Sequence, residues 1–135
     1  MISPANPPRH MDSGLADVLA EVVTHMGGMP REGQVLMAEA VEKAFISRSH
    51  LVVQAGTGTG KSMAYLIAAA RQAQREGPVV IATATLALQR QLVERELPRL
   101  EAAGIETTWS VLKGRHNYVC RLRLNDESEK IGRAH

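Results

Sequence analysis

"QAGTGTGKSMAY", residues 54–65, is a run of glycine and threonine that ends in a lysine and a serine, with helix-forming residues directly after it. It follows the pattern Gly-x-x-x-x-Gly-Lys-Ser/Thr, with Ala55 in place of the first glycine and Gly60, Lys61 and Ser62 as the pattern requires. Small residues matter here because backbone N–H groups must close around phosphate oxygens, and bulk would hold the anion away. A helix that begins near Lys61 adds the positive end of its dipole to the same place. Ala55, Gly56, Thr57, Gly58, Thr59 and Gly60 are therefore expected to cradle the phosphates of ATP. Lys61 is expected to supply the mobile charge for the β- and γ-phosphates, and Ser62 a hydroxyl for Mg²⁺. The bland alternative is a flexible Gly/Thr turn, and the strand expected before it and the helix expected after it count against that.

Working outward, "LVVQ" (51–54) reads as a short buried strand feeding the loop, and "KSMAYLIAAARQAQRE" (61–76) as a helix. "GPVVIATA" (77–84) gives a second buried strand and "TTWSVL" (107–112) a third. Upstream, Leu15, Val18, Leu19, Val22 and Val23 have the spacing of one helical face, with Ser13 available as its cap and "GGMP" (27–30) ending it. A second helical pattern carries Val35, Met37, Val41, Ala44 and Phe45 until "SRSH" (47–50) breaks it. A further helix runs from about Thr85, with Pro98 marking its end or a kink. Strands alternating with helices imply crossover units and a mostly parallel sheet, an α/β fold. Three strands are fewer than the five or six of an average sheet, so the chain reads as the front part of a larger domain.

At 135 residues there is room for about one domain on the prior of roughly 150 residues each. Hydrophobic residues make up 44% and charged residues 22%, as in globular chains, while 3% aromatic is low for a surface that stacks bases. A net charge of +2 permits a polyanionic partner without requiring one. One cysteine, Cys120, forbids a disulfide within the chain and suggests a reducing compartment. No apolar run is long enough to span a membrane, and residues 1–14, rich in proline, read as a disordered tail in the cytoplasm. The histidines, at 10, 25, 50, 116 and 135, lack metal-ligand spacing.

Two further segments carry polar groups in suggestive places. Gln34 in "REGQ" (31–34) has an amide that both donates and accepts, as an adenine edge requires; an exposed glutamine at a helix start is the alternative. Thr83 and Thr85 stand where a strand gives way to a helix, followed by Gln89, Arg90 and Gln91, a setting suited to a backbone phosphate. Simple capping of the helix by Thr85 is the competing reading.

Taken together these segments resemble the DNA helicases of the DinG/XPD family in helicase superfamily two, and the bacterial DinG-like branch in particular. "REGQ" resembles the adenine-reading Q motif, "AGTGTGKS" (55–62) motif I, and "TATLALQRQL" (83–92) motif Ia, which in such helicases touches single-stranded DNA. "LKGRHNYVC" (112–120) looks like the entry to the family's iron–sulfur domain. The resemblance covers about residues 31–120. It implies a RecA-like P-loop NTPase lobe over 15–112, incomplete here, and the start of an iron–sulfur insertion over 113–129. It further implies that Gln34 and Arg31 recognise adenine, that Thr83, Thr85 and Gln89 meet DNA, and that Cys120 is one of the ligands of a [4Fe–4S] cluster. A cluster needs four thiolates, so Cys120 cannot hold one in this chain, and an ordinary lone cysteine is the alternative.

Hydrolysis in such a motor needs an acidic pair after a buried strand and an arginine from a second lobe. "NDESE" (125–129) offers Asp126 and Glu127, but the preceding "RLRL" alternates and does not form a central strand. The last six residues, "KIGRAH" (130–135), match a translation of a common sequencing adapter and are read as an artefact to be set aside. The implied whole is an ATP-dependent helicase that moves 5′ to 3′ on single-stranded or forked DNA, with no sign of an obligate oligomer. This chain alone is expected to bind nucleotide weakly and to unwind nothing. A non-catalytic nucleotide-binding module and another phosphate-loop ATPase are the competing classes.

Overall fold

The computed structural model describes residues 13–56, 58 and 60–120. The expectations placed on residues 1–12, on Thr57 and Thr59, and on 121–135, including "NDESE" and "KIGRAH", lie outside the described residues.

Helix α1 (Leu15–His25) buries Leu15, Val18, Leu19, Val22 and Val23, the five residues whose spacing marks one face. Its cap is Gly14 with no side-chain hydrogen bond, so Ser13 does not cap it as expected. The Ser13 carbonyl instead accepts from Arg71 Nη1 at 2.9 Å. The helix closes with Gly28 N–H donating to Val23 O and Gly27 N–H to Thr24 O, the paired bonds that satisfy terminal carbonyls.

Helices α2 (Glu32–Ser47) and α3 (Lys61–Glu76) lie against each other, and α1 packs on both. Helix α3 is the centre of the core: Met63, Ala64, Leu66, Ile67 and Ala70 are buried in one cluster with the α1 face and Ala38 of α2. Alanine is frequent along α3 (Ala64, Ala68, Ala69, Ala70), which favours the helix and lets neighbours approach closely. Among the buried residues is one cation, Arg71, whose Nε donates to Glu42 Oε1 at 2.8 Å while Arg75 Nη2 donates to the same oxygen at 2.9 Å. The guanidinium thus ties the residue before α1 and the middle of α2 to α3, each bond charge-assisted.

The next helical stretch is continuous but changes register. Helix α4 (Leu86–Gln91) passes into a π-helical turn (Leu92–Glu96) and then into helix α5 (Leu97–Ala102). Pro98 therefore does not end the helical stretch but accompanies a disturbance of it; it lies in the first turn of α5, directly after the π turn. The physical reason is local. A proline ring in a helix clashes with the carbonyl four residues earlier, here that of Glu94, and Glu94 lies within the widened turn. A short 3₁₀ turn (Arg115–Asn117) follows downstream.

No strand is formed among the described residues, which corrects the expected sheet. Segments 51–54, 78–82 and 107–112 are irregular backbone, although their side chains still alternate. Val52, Val80 and Leu112 are 96%, 91% and 85% exposed, against 40%, 39% and 38% for the neighbouring Val53, Ile81 and Val111. A strand exists only through its ladder, and a buried parallel strand needs a partner on each edge and a layer on each face. Apolar β-branched composition identifies residues suited to such a place but does not provide the partners.

Candidate functional site

Between segment 51–54 and α3, two of the described glycines have left-handed backbone: φ is 75° at Gly58 and 74° at Gly60. Left-handed residues are a regular part of the backbone concavities that bind anions. At Gly60, the N-cap of α3, a Cβ would lie 2.8 Å from Gln34 Cδ, so the absence of a side chain is a packing demand as well as a conformational one. Lys61 reaches back across the turn, its Nζ donating to Ala55 O at 2.9 Å and Gly56 O at 2.7 Å. The ammonium is thereby held at the mouth of the loop by carbonyls that a phosphate oxygen would replace as its partner.

Two residues from the start of α2 close over the same loop. Gln34 Nε2 donates to Gly60 O at 3.1 Å, and Arg31 Nη1 donates to Gly58 O. Gln34 is 6% exposed, so it is not the solvated glutamine of the alternative reading. With Lys61 and Ser62 they line a cleft of about 460 Å³, a size suited to a nucleotide. Ser62 stands half-buried on the first turn of α3 in that cleft. A loop with left-handed glycines, a tethered lysine, a helix N-terminus and a hydroxyl is a donor set that fits a polyphosphate with Mg²⁺.

The cleft also has a wall that the sequence reading did not supply. Gln91, Glu96 and Arg99, from the helical stretch of α4, the π turn and α5, line it together with the loop. The signal was present only as Pro98, whose disturbance of the helix was legible but whose effect on neighbouring side chains was not.

The expected nucleic-acid residues lie elsewhere, at the beginning of that stretch. Thr85 is the N-cap of α4, its hydroxyl accepting from Leu88 N–H at 3.2 Å, so the capping reading is realised. Thr83 Oγ1 donates to Thr85 O at 3.2 Å, and Gln89 Nε2 donates to Leu112 O at 3.1 Å. Thr85 is exposed, whereas Thr83 and Gln89 are half-buried. Cys120 is exposed and free, and no group of three or more metal-ligating side chains occurs among the described residues. A lone thiol does not fit a four-thiolate cluster. No described helix is long and apolar enough to cross a membrane.

Residues 31–131 match the DEAD/DEAH box helicase family. The chain belongs to that family. DEAD/DEAH membership implies a RecA-like α/β motor lobe, of which the described residues supply the helices. The chain is similar to the ATP-dependent helicase DinG of Mycobacterium tuberculosis, 49% identical over 116 residues that are 82% of this chain and 18% of the relative. It is also similar to the ATP-dependent DNA helicase YoaA of Escherichia coli, 46% identical over 104 residues, 76% of this chain and 16% of the relative. A third relative is the 3′-5′ exonuclease DinG of Bacillus subtilis, 34% identical over 111 residues, 81% of this chain and 12% of the relative. The chain thus spans less than a fifth of the length of these DEAD/DEAH relatives. No solved structure matches it.

Proposed function

We propose that this chain is the N-terminal part of an ATP-dependent DNA helicase and that its loop 55–62 takes the triphosphate of ATP. The observation that carries the reading is the Lys61 ammonium held over the loop carbonyls, beneath Arg31 and Gln34, in a chain of the DEAD/DEAH family. Ala55, Gly56, Thr57, Gly58, Thr59 and Gly60 would cradle the phosphates through their backbone N–H groups. Arg31 and Gln34 would read the adenine. Mg²⁺, held in part by Ser62, would neutralise charge between the β- and γ-phosphates. Thr83, Thr85 and Gln89 would meet single-stranded DNA, at a fork or in a free strand, and the whole motor would travel 5′ to 3′.

The acidic pair and the second-lobe arginine that hydrolysis requires are not among the roles assigned to this chain's residues. Binding without unwinding is therefore its proposed capacity. A [4Fe–4S] cluster would need thiolates beyond Cys120, so no step is derived through one. A cytoplasmic site of action and the lack of an obligate oligomer complete the proposal.

Calorimetric titration with ATP and Mg²⁺ tests it. The chain should bind, and Lys61→Ala should weaken binding by about 10- to 100-fold, the worth of a charge-assisted contact. Equal affinity in the two proteins would remove Lys61 from the site. In a longer protein that carries this segment, single-stranded DNA should stimulate ATP turnover.

A further inference from the structure

The wall of the nucleotide cleft formed by Gln91, Glu96 and Arg99 spans the π turn. In a straight helix at about 100° per residue, Leu92 and Leu100 would lie about 80° apart around the axis. The extra residue taken up by the π turn brings them to within about 20°, and both are buried, at 5% and 0% exposure. Glu96 lies on the same side of the helix, within about 60° of both. Its side chain is only 12% exposed, although it carries a charge and lines the cleft with Gln34, Lys61 and Ser62.

Withdrawing a carboxylate from water is costly unless donors replace the water. Among the described residues its contacts are few. Gln91 Nε2 donates to Oε1 at 3.3 Å, and the exposed Arg99 guanidinium lies 3.9 Å from the same oxygen. Both are long, and both fall on Oε1. Acceptor capacity therefore faces a cleft whose other polar side chains, Arg31, Gln34, Lys61, Ser62, Gln91 and Arg99, can all act as donors.

We infer that Glu96 is the sugar-reading residue of the nucleotide site, accepting hydrogen bonds from the ribose 2′- and 3′-hydroxyls. The inference rests on the nucleotide-binding reading above and deepens it. The chemistry selects the sugar. The phosphates are repelled by a carboxylate and attracted by Lys61, and the adenine edge needs both a donor and an acceptor, which Gln34 has. A vicinal diol presents two O–H donors, which a carboxylate accepts with its two oxygens. Gln91 and Arg99 then act as positioning residues that hold Glu96 in its rotamer.

Affinities of the chain for ATP, 2′-deoxyATP, 2′,3′-dideoxyATP and inorganic tripolyphosphate, each with Mg²⁺, test this. The unsubstituted chain should prefer ATP to the dideoxy compound by about tenfold, in line with hydrogen bonds to a charged acceptor. Glu96→Gln, which keeps shape and removes charge, should bring the two within about twofold, while tripolyphosphate keeps its affinity. An undiminished preference in Glu96→Gln overturns the inference, and so does an absence of preference in the unsubstituted chain. Parallel weakening of ATP and tripolyphosphate would mean a merely structural role and overturns it too. Failure of the unsubstituted chain to bind any triphosphate, or binding indifferent to Lys61→Ala, would instead overturn the phosphate-loop reading on which it stands.

Discussion

At position 60 the backbone is left-handed and the space beside it is filled by the Gln34 amide. An alanine there would meet both obstacles. The left-handed backbone alone costs about 1–2 kcal/mol for a residue with a Cβ, and the Gln34 side chain would have to move as well. Gly60→Ala should therefore lower the urea midpoint and weaken nucleotide binding together, because the same methyl group displaces the hydrogen bond from Gln34 to Gly60 O. A midpoint unchanged from that of the original chain would show that the loop adapts more freely than this geometry allows. The loop itself was legible from Gly60, Lys61 and Ser62 in the sequence, since spacing and residue size are what a phosphate demands. The burial of Gln34 was not, because a glutamine at a helix start is solvated unless another element covers it, and only the fold brings the loop over it.

Among the elements, α1, α2 and α3 are joined by apolar packing and by one buried charge cluster. Arg71 is 5% exposed and donates to Glu42 and to the Ser13 carbonyl, so its removal takes a buried charged donor from both, leaving Glu42 paired with Arg75 alone. Arg71→Ala should cost about 1–3 kcal/mol of stability, the worth of charge-assisted hydrogen bonds lost from a buried site while Arg75 still pairs with Glu42. Arg71→Lys should recover only part of it, since an ammonium cannot reproduce the planar set of donors. Both values would come from urea denaturation followed by circular dichroism. The α1 face was readable from periodicity because its five apolar residues all meet the core. The α2 face was less so: Val35, Met37, Val41, Ala44 and Phe45 are only half-buried, and it is Ala38 and Gln34 that are fully covered. Along the stretch from α4 to α5, proline was correctly a disturbance. Its outcome depended on Leu92 and Leu100 both being buried, a tertiary condition that no local pattern expresses.

For the whole molecule, the decisive feature is the pair of apolar segments 51–54 and 78–82, together with 107–112, whose residues suit a sheet that the described residues do not form. Val52 and Val80 are almost wholly exposed, and exposed apolar side chains on β-prone segments favour association between chains. The chain should self-associate in a concentration-dependent way in sedimentation velocity. Introducing charge by Val52→Lys together with Val80→Lys should shift it toward monomer without loss of helix content. Persistent association in the double variant would place the contact elsewhere, with the groove lined by Phe45, Leu51 and Val53 as the next surface to test. The three segments were identified in the sequence as strands by composition, and the α/β class agrees with the family. Pairing, however, belongs to residues far apart in the chain, and for that reason it could not be read from any one stretch.

The bond from Gln34 to the Gly60 carbonyl has a bearing on how the site discriminates between ligands. A purine that engages this amide must draw it from the hinge of the loop, so recognition at the base end loosens the backbone at the phosphate end. Linkage requires the converse: whatever reshapes the hinge alters the hold on the base by the same factor. A nucleotide whose base leaves Gln34 undisturbed would find the cradle stiffer than ATP does.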